Sequence, residues 1–201
     1  MRVEKFMSRE VLTVPVTAGL EEAAALIKEH DIRHLPVVEG KKLIGLVTEG
    51  EIRGAIFPAM LEDIGVKDLM ITDPITVTPD ALLEDAVRLV YQHKIGCLPV
   101  VDRDGNLKGI ITVVDMLAAL IDLMGLLSES SRLDLTLPEK PEAFDEVSHI
   151  IQANGGKIIG VSLSRLSEDQ VVYLFRLEKM NLESIVHDLQ IKGYEIISRL
   201  D

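Results

Sequence analysis

The chain writes one pattern twice. Aligning Val3 with Val66 pairs residues at an offset of 63 as far as Val38 and Val101; one residue inserted in the second copy then makes the offset 64, pairing Gly45 with Gly109. Matches include Met7/Met70, Thr13/Thr76, Val14/Val77, His30/His93, Leu35-Pro36-Val37-Val38 with Leu98-Pro99-Val100-Val101, and Thr48/Thr112. A single doubling argues for a pseudo-twofold pair, each half covering an apolar face the other cannot bury alone, because a solenoid needs more repeats. The most informative stretch is Gly109-Ile110-Ile111-Thr112-Val113-Val114-Asp115, with its earlier copy Gly45-Leu46-Val47-Thr48-Glu49-Gly50-Glu51. Each reads as a short buried strand turning at threonine into a helix, with a carboxylate three residues further on.

Each repeat opens with a short extended segment, Val11–Val14 or Ile75–Val77, followed by Pro15 or Pro79. The prolines favour extended backbone and then a turn. An amphipathic helix follows, with Leu20, Ala23, Ala24 and Ile27 on one stripe and Leu83, Ala86, Val87 and Val90 repeating it. His30 and His93 fall at the helix ends, where imidazolium complements the dipole; capping outweighs metal binding for both. Two strands come next, Leu35–Val38 and Leu43–Val47, copied from Leu98 and from Leu107 to Ile111. Pro36 and Pro99 cannot donate to a ladder and belong at a strand start or edge. The second helix of the second repeat runs from Asp115 to about Leu127, and Gly125 with Ser128-Glu129-Ser130-Ser131 marks a linker.

Beyond the linker the period changes. Leu133, Leu135 and Leu137 alternate as a half-buried strand, and Phe144, Val147, Ile150 and Ile151 share a helix face. Asn154-Gly155-Gly156 suits a left-handed helix end. Strands over Lys157–Ser164 and Val171–Leu177 follow, joined by Ser167-Glu168-Asp169-Gln170. A helix over Asn181–Lys192, capped by Asn181, and a strand at Glu195–Ile197 complete the order β-α-β-β-α-β, a ferredoxin-like unit. The predicted fold is therefore α/β (α+β): repeats over 1–62 and 63–127, then a separate unit over 132–201.

With a net charge of −12 and no basic run, the chain lacks the surface that nucleic acid requires. No apolar run is long enough to span a bilayer, and Met1-Arg2-Val3-Glu4-Lys5 does not read as a secretion signal. The single cysteine, Cys97, fits a reducing compartment, so a cytoplasmic location without membrane contact is expected. No nucleophile–base set, no Gly-x-x-x-x-Gly-Lys loop and no metal-ligand cluster is visible in the sequence, and the five histidines are scattered. Neither catalytic residues nor a metal are expected.

The paired Thr-Val segments, the paired Leu-Pro-Val-Val segments and the paired Gly-h-h-Thr-x-x-Asp/Glu segments, where h is apolar, resemble a tandem pair of cystathionine-β-synthase (CBS) domains. The tail resembles an ACT domain, a small regulatory ferredoxin-like module. The order of the two is similar to that of the acetoin-utilisation proteins of the B type. Thr48-x-x-Glu51 and Thr112-x-x-Asp115 can each be a helix capping box, or can hold a nucleotide through free helix amides and a carboxylate on the ribose hydroxyls; the two readings are compatible.

The resemblance implies two clefts. One would hold Thr13, Val14, His34, Leu35 and Pro36 with Thr112 and Asp115, with Arg33 beside it. The other would hold Thr76, Val77, Cys97, Leu98 and Pro99 with Thr48 and Glu51. The first is expected to be stronger. Asp115 is the shorter acid that the family's pattern prefers, and Arg33 and His34 offset phosphate charge. The second has Gly96 and Cys97 in those places, and Glu51 displaces its carboxylate by about one C–C bond. Arg33 is equally explained as a solvated surface arginine, and Cys97 reads as a buried filler rather than a nucleophile.

The resemblance thus implies a non-enzymatic regulatory protein that senses AMP, ADP, ATP or S-adenosylmethionine, as a homodimer and with a protein partner in prospect. Alternatives are a ligand-free structural dimerisation adaptor, or amino-acid sensing through the ACT-like unit. Against the last, the turn Pro138-Glu139-Lys140-Pro141-Glu142-Ala143 lacks the glycine usual at such a site. Asn154 and Gly155 could contribute to one but serve equally as a helix cap.

Overall fold

The computed structural model describes residues 1–55, 64–125, 129–165 and 170–201. The loop expected at 167–169, the proposed helix end near 127 and the 62/63 repeat boundary lie outside them. The described residues divide into two compact units, Met1–Ala119 and Leu120–Asp201. Each has its own buried cluster or clusters.

In the first repeat the elements are β1 (Val14–Pro15), α1 (Leu20–Glu29), β2 (His34–Glu39), β3 (Lys42–Thr48) and α2 (Glu49–Ala55). The second contains α3 (Val66–Leu69), α4 (Leu83–His93), β4 (Cys97–Val101), β5 (Leu107–Thr112) and α5 (Val113–Leu123). Leu20, Ala23 and Ile27 bury the expected face of α1, and Leu83 and Ala86 that of α4. β2 pairs antiparallel with β3, and β4 with β5, each with an irregularity at the same place, Val37/Val38 and Val100/Val101.

The opening strands are shorter than the sequence suggests. β1 keeps two residues, and in the second repeat only the parallel bridge Val77–Val100 remains. Pro36 also departs from expectation. It lies inside β2, which is the middle strand of the order β1-β2-β3. β1 pairs only from Val37 onward, so the missing Pro36 N–H has no β1 partner to lose.

The repeats are cross-braced by their own lead-in segments, which sequence periodicity did not reveal. A short 3-10 helix, Val3–Lys5, docks on the second repeat through Val3 N–H to Ala81 O at 3.0 Å; α3 docks on the first through Val66 N–H to Ala18 O at 3.0 Å. Ser8 then bridges Ile110, and Ile71 bridges Leu46. The crossing explains the glycine that opens each Gly-h-h-Thr motif. A β-carbon at Gly109 would stand 2.7 Å from Ser8 O and 2.9 Å from Met7 Sδ, and one at Gly45 would stand 2.5 Å from Met70 Sδ. The hairpin tips also join, Leu43 N–H to Gly105 O at 3.1 Å and Leu107 N–H to Lys41 O at 2.9 Å. Leu46, Cys97 and Ile110, with Val11 against them, form a small apolar seam.

The second unit contains β6 (Ser130–Thr136), α6 (Ala143–Ala153), β7 (Ile158–Arg165), β8 (Val171–Glu178), α7 (Glu183–Ile191) and β9 (Ile196–Leu200). Sheet order β7-β8-β6-β9 is that of a ferredoxin-like unit. Ser130 and Ser131 belong to β6 rather than to a linker, because Ser131 is buried and its hydroxyl donates to Met180 O at 2.6 Å. Leu133, Leu135, Phe175 and Leu177 on the sheet meet Val147, Ile151, Ile185 and Leu189 on the helices. The cap position of α7 is Leu182 rather than the expected Asn181, which stands one residue earlier and accepts from Glu183 N–H at 2.8 Å because the helix starts two residues later than its sequence pattern suggests. Gly155 and Gly193 adopt the left-handed conformations that end the two helices.

Candidate functional site

The Thr112-x-x-Asp115 turn is a full capping box, and the Thr48-x-x-Glu51 turn forms the carboxylate half of one. Asp115 Oδ2 accepts the Thr112 N–H at 2.8 Å and the Thr112 hydroxyl at 2.7 Å, while Asp115 N–H reaches Thr112 Oγ1 at 3.3 Å. In the first repeat Glu51 Oε2 accepts the Thr48 N–H at 3.1 Å and the Thr48 hydroxyl. Each carboxylate commits one oxygen. Asp115 Oδ1 and Glu51 Oε1 make no hydrogen bond among the described residues. Both acids and both threonines are half-buried, so the second oxygen of each is within reach of a ligand.

Strand pairing sets each box beside the Leu-Pro segment of its own repeat. His34 is opposite Thr48, and Cys97 is opposite Thr112. Backbone bonds tie the helix starts to the residues before those strands, Glu49 N–H to Arg33 O at 2.9 Å and Val113 N–H to Gly96 O at 3.0 Å. Beside the boxes, the two repeats touch through His34 on Gly96. Through it, the N-terminal ends of β2 and β4, and the helix starts beside them, meet.

The individual positions differ in what they can offer. Val14, Val77, Leu35 and Leu98 point into the cores, leaving only their backbone groups for a ligand, and Pro36 and Pro99 are buried beside them. Thr13 and Thr76 are half-buried. Arg33 is 81% exposed, with Glu49 at 4.0 Å its one ion-pair partner among the described residues, as a solvated arginine would be. Burial, then the neighbouring Arg33, lowers the His34 pKa, with Glu51 opposing. Burial pushes the Cys97 thiol up to about 12, which fits a filler and not a nucleophile. Among the described residues no cluster of His, Cys, Asp and Glu could hold a metal.

Three cations escaped the sequence reading. Thr13 lines a crevice of about 230 Å³ together with Arg9, Lys41 and Lys108. Lys108 pairs with Asp102 at 3.1 Å and Arg9 with Glu4 at 3.9 Å. The alignment held the signal: the second half has Thr72 for Arg9, and the first has Ile44 for Lys108. Three cationic side chains therefore line the crevice beside Thr13, two of them within ion-pair distance of a carboxylate.

The CBS domain family matches the chain twice, over residues 3–58 and 66–122, more than half of its length. The chain belongs to the CBS-domain family. The inosine-5'-monophosphate dehydrogenase of Korarchaeum cryptofilum is 41% identical over 115 residues, which cover 57% of this chain and 23% of that enzyme. The chain thus aligns with under a quarter of that enzyme's length. A Vibrio cholerae protein provisionally assigned to acetoin utilization (AcuB) is 36% identical, with a TM-score of 0.57 over 65% of this chain and 97% of that one. The CBS-pair protein CBSX2, solved with AMP, is 30% identical at a TM-score of 0.56, covering 61% and 98% of the two chains. The CBS pair of MJ0100, solved with 5'-methylthioadenosine and S-adenosyl-L-methionine, is 26% identical at a TM-score of 0.55, covering 60% and 95%. No helix among the described residues of this CBS protein is long and apolar enough to cross a membrane.

Proposed function

We propose that this CBS pair is a non-enzymatic sensor that binds an adenosine-containing ligand between its repeats. The observation that carries this reading is the uncommitted Oδ1 of Asp115, held at the start of α5 by a box that uses only Oδ2. A carboxylate so fixed can accept ribose hydroxyls, as in dinucleotide folds. Thr13, Arg33, His34 and Thr112 complete the stronger cleft, with backbone at Val14, Leu35 and Pro36 reading the base. Thr76, Cys97, Pro99, Thr48 and Glu51, with backbone at Val77 and Leu98, form the weaker. Solved relatives holding AMP, 5'-methylthioadenosine or S-adenosylmethionine support the ligand class. The cations around Thr13 favour a phosphate-bearing member of it.

Binding would bridge the two repeats, and a regulatory effect requires different ligand affinity in two states of the protein. The exposed apolar side chains Val113, Val114 and Leu117 on α5 support homodimerisation. The ferredoxin-like tail, read as an ACT-like element, would serve dimerisation and coupling rather than amino-acid sensing. Likeness to the Vibrio cholerae protein supports a role in acetoin utilisation. Native mass spectrometry of the purified protein tests the reading: a retained adenosine-compound mass, or a melting temperature raised by AMP or S-adenosylmethionine, supports it. The absence of both the mass and the shift would contradict it.

A structural adaptor is the second reading, favoured by the fact that each acid already accepts the amide of its helix-capping threonine. It requires that Thr112→Ala lower the melting temperature while added nucleotide raises it in no variant.

A further inference from the structure

In the second unit the helices cover one face of the sheet, and strand register sets the side chains of the other in rows. One row runs Gly160, Arg176, Arg132, Leu200; the next runs Ser162, Leu174, Asp134, Ser198. Arg132 and Arg176 therefore stand directly opposite one another on neighbouring strands, where like charges repel. Only Arg132 is neutralised. Its Nε and Nη2 donate to Asp134 at 2.7 and 2.6 Å, and Asp134, 4% exposed, also accepts the Ser198 hydroxyl at 2.9 Å. Arg176 donates from Nη1 to Ser130 Oγ at 2.6 Å and has no carboxylate partner among the described residues. A guanidinium has five N–H donors, so most of those on Arg176 remain for a ligand.

A cavity of about 180 Å³ opens against these two arginines, with Leu123, Met124, Leu174 and Ser162 among its walls. Gly160 leaves part of that room: a β-carbon there would meet no heavy atom within 4 Å. We propose that this cavity binds a small organic carboxylate with a short apolar body. Its carboxylate pairs with the Arg176 guanidinium, and its alkyl end lies against Leu123, Met124 and Leu174. A planar guanidinium matches a carboxylate in two parallel hydrogen bonds. One uncompensated cation balances one anionic charge, which disfavours a phosphate dianion among apolar walls. The α-amino acids are disfavoured too, because Asp134, the carboxylate in the same rows, is already taken by Arg132 and Ser198.

Calorimetry on the full chain with 3-methylbutanoate tests this, with leucine and inorganic phosphate as comparisons. Gly160→Val adds bulk to the cavity wall from a β-carbon that meets no heavy atom within 4 Å, and valine suits a strand; Arg176→Gln removes the cation. The wild type should bind 3-methylbutanoate more tightly than leucine or phosphate. Both variants should weaken that binding by about tenfold or more, with Gly160→Val melting no lower than wild type. Absence of binding up to about 10 mM, undiminished binding by Gly160→Val, or a preference for phosphate or leucine would overturn the proposal. Every residue used lies in the second unit, so the response to AMP should not change in either variant, and each proposal stands or falls without the other.

Discussion

His34 rests its imidazole on Gly96 across the repeat seam, so close that a β-carbon at Gly96 would stand 2.6 Å from Nε2 and 2.8 Å from Cε1. The alignment pairs Gly96 with Arg33, so the copies differ where they touch. A side chain on both sides could not be packed there without displacing the ring. The asymmetry between the two halves is therefore steric as well as electrostatic.

Glycine substitutions should separate along this geometry. Gly109→Ala meets the backbone oxygen of Ser8 at 2.7 Å and should destabilise the fold by about 1–3 kcal/mol. Gly96→Ala meets a side-chain ring that can turn, and should cost less stability while weakening adenosine-ligand binding. Gly160→Ala meets nothing within 4 Å and should be close to neutral. Urea unfolding of the three variants checks the order.

Removing the α5 cap should act locally. Thr112→Ala loses the hydroxyl that accepts from Asp115 N–H and should cost about 1 kcal/mol. Thr112→Ser keeps the oxygen and should recover most of it. Thermal denaturation of the pair distinguishes the cap from a general packing effect.

The pair's duplication, its helices and strand pairs, and the ferredoxin-like order of the tail were legible in the sequence because each rests on periodicity or repetition. The short helices at Val3–Lys5 and Val66–Leu69 were not. One turn carries no period, and the exchange that docks each on the opposite repeat is a long-range contact. Ser131 was misread for a related reason: a serine reads as solvent-facing until its partner, Met180 O, is in view. At the site, Thr112 and Asp115 were legible from spacing. The core-facing direction of Val14 and Leu35 depends on how β1 pairs within its own repeat, and the gathering of Arg9, Lys41 and Lys108 around Thr13 on how the two repeats meet.

Stability should depend on His34 in mildly acidic solution. Its folded pKa lies below the ordinary 6.5, chiefly through burial. The unfolded chain then takes up the proton first, so stability is full above 6.5 and falls as pH drops from there through the folded value. His34→Gln should flatten that part of the profile, measured as urea midpoints across the range.

Cys97 should be inert in the native protein. With its thiol pKa near 12 and its side chain buried, an aromatic disulfide reagent at about pH 8 should label it only after unfolding. Rapid labelling of native protein would show that the seam opens.

Titration calorimetry of wild type and Asp115→Ala with AMP, ADP, ATP and S-adenosylmethionine, beside Glu51→Ala, tests the sensor most directly. The structure predicts that at least one of these binds below millimolar. Asp115→Ala should weaken it by about tenfold or more, the loss expected for a hydrogen bond to a charged group, and Glu51→Ala should weaken it less. Absence of binding by wild type, or equal binding by Asp115→Ala, would contradict the account.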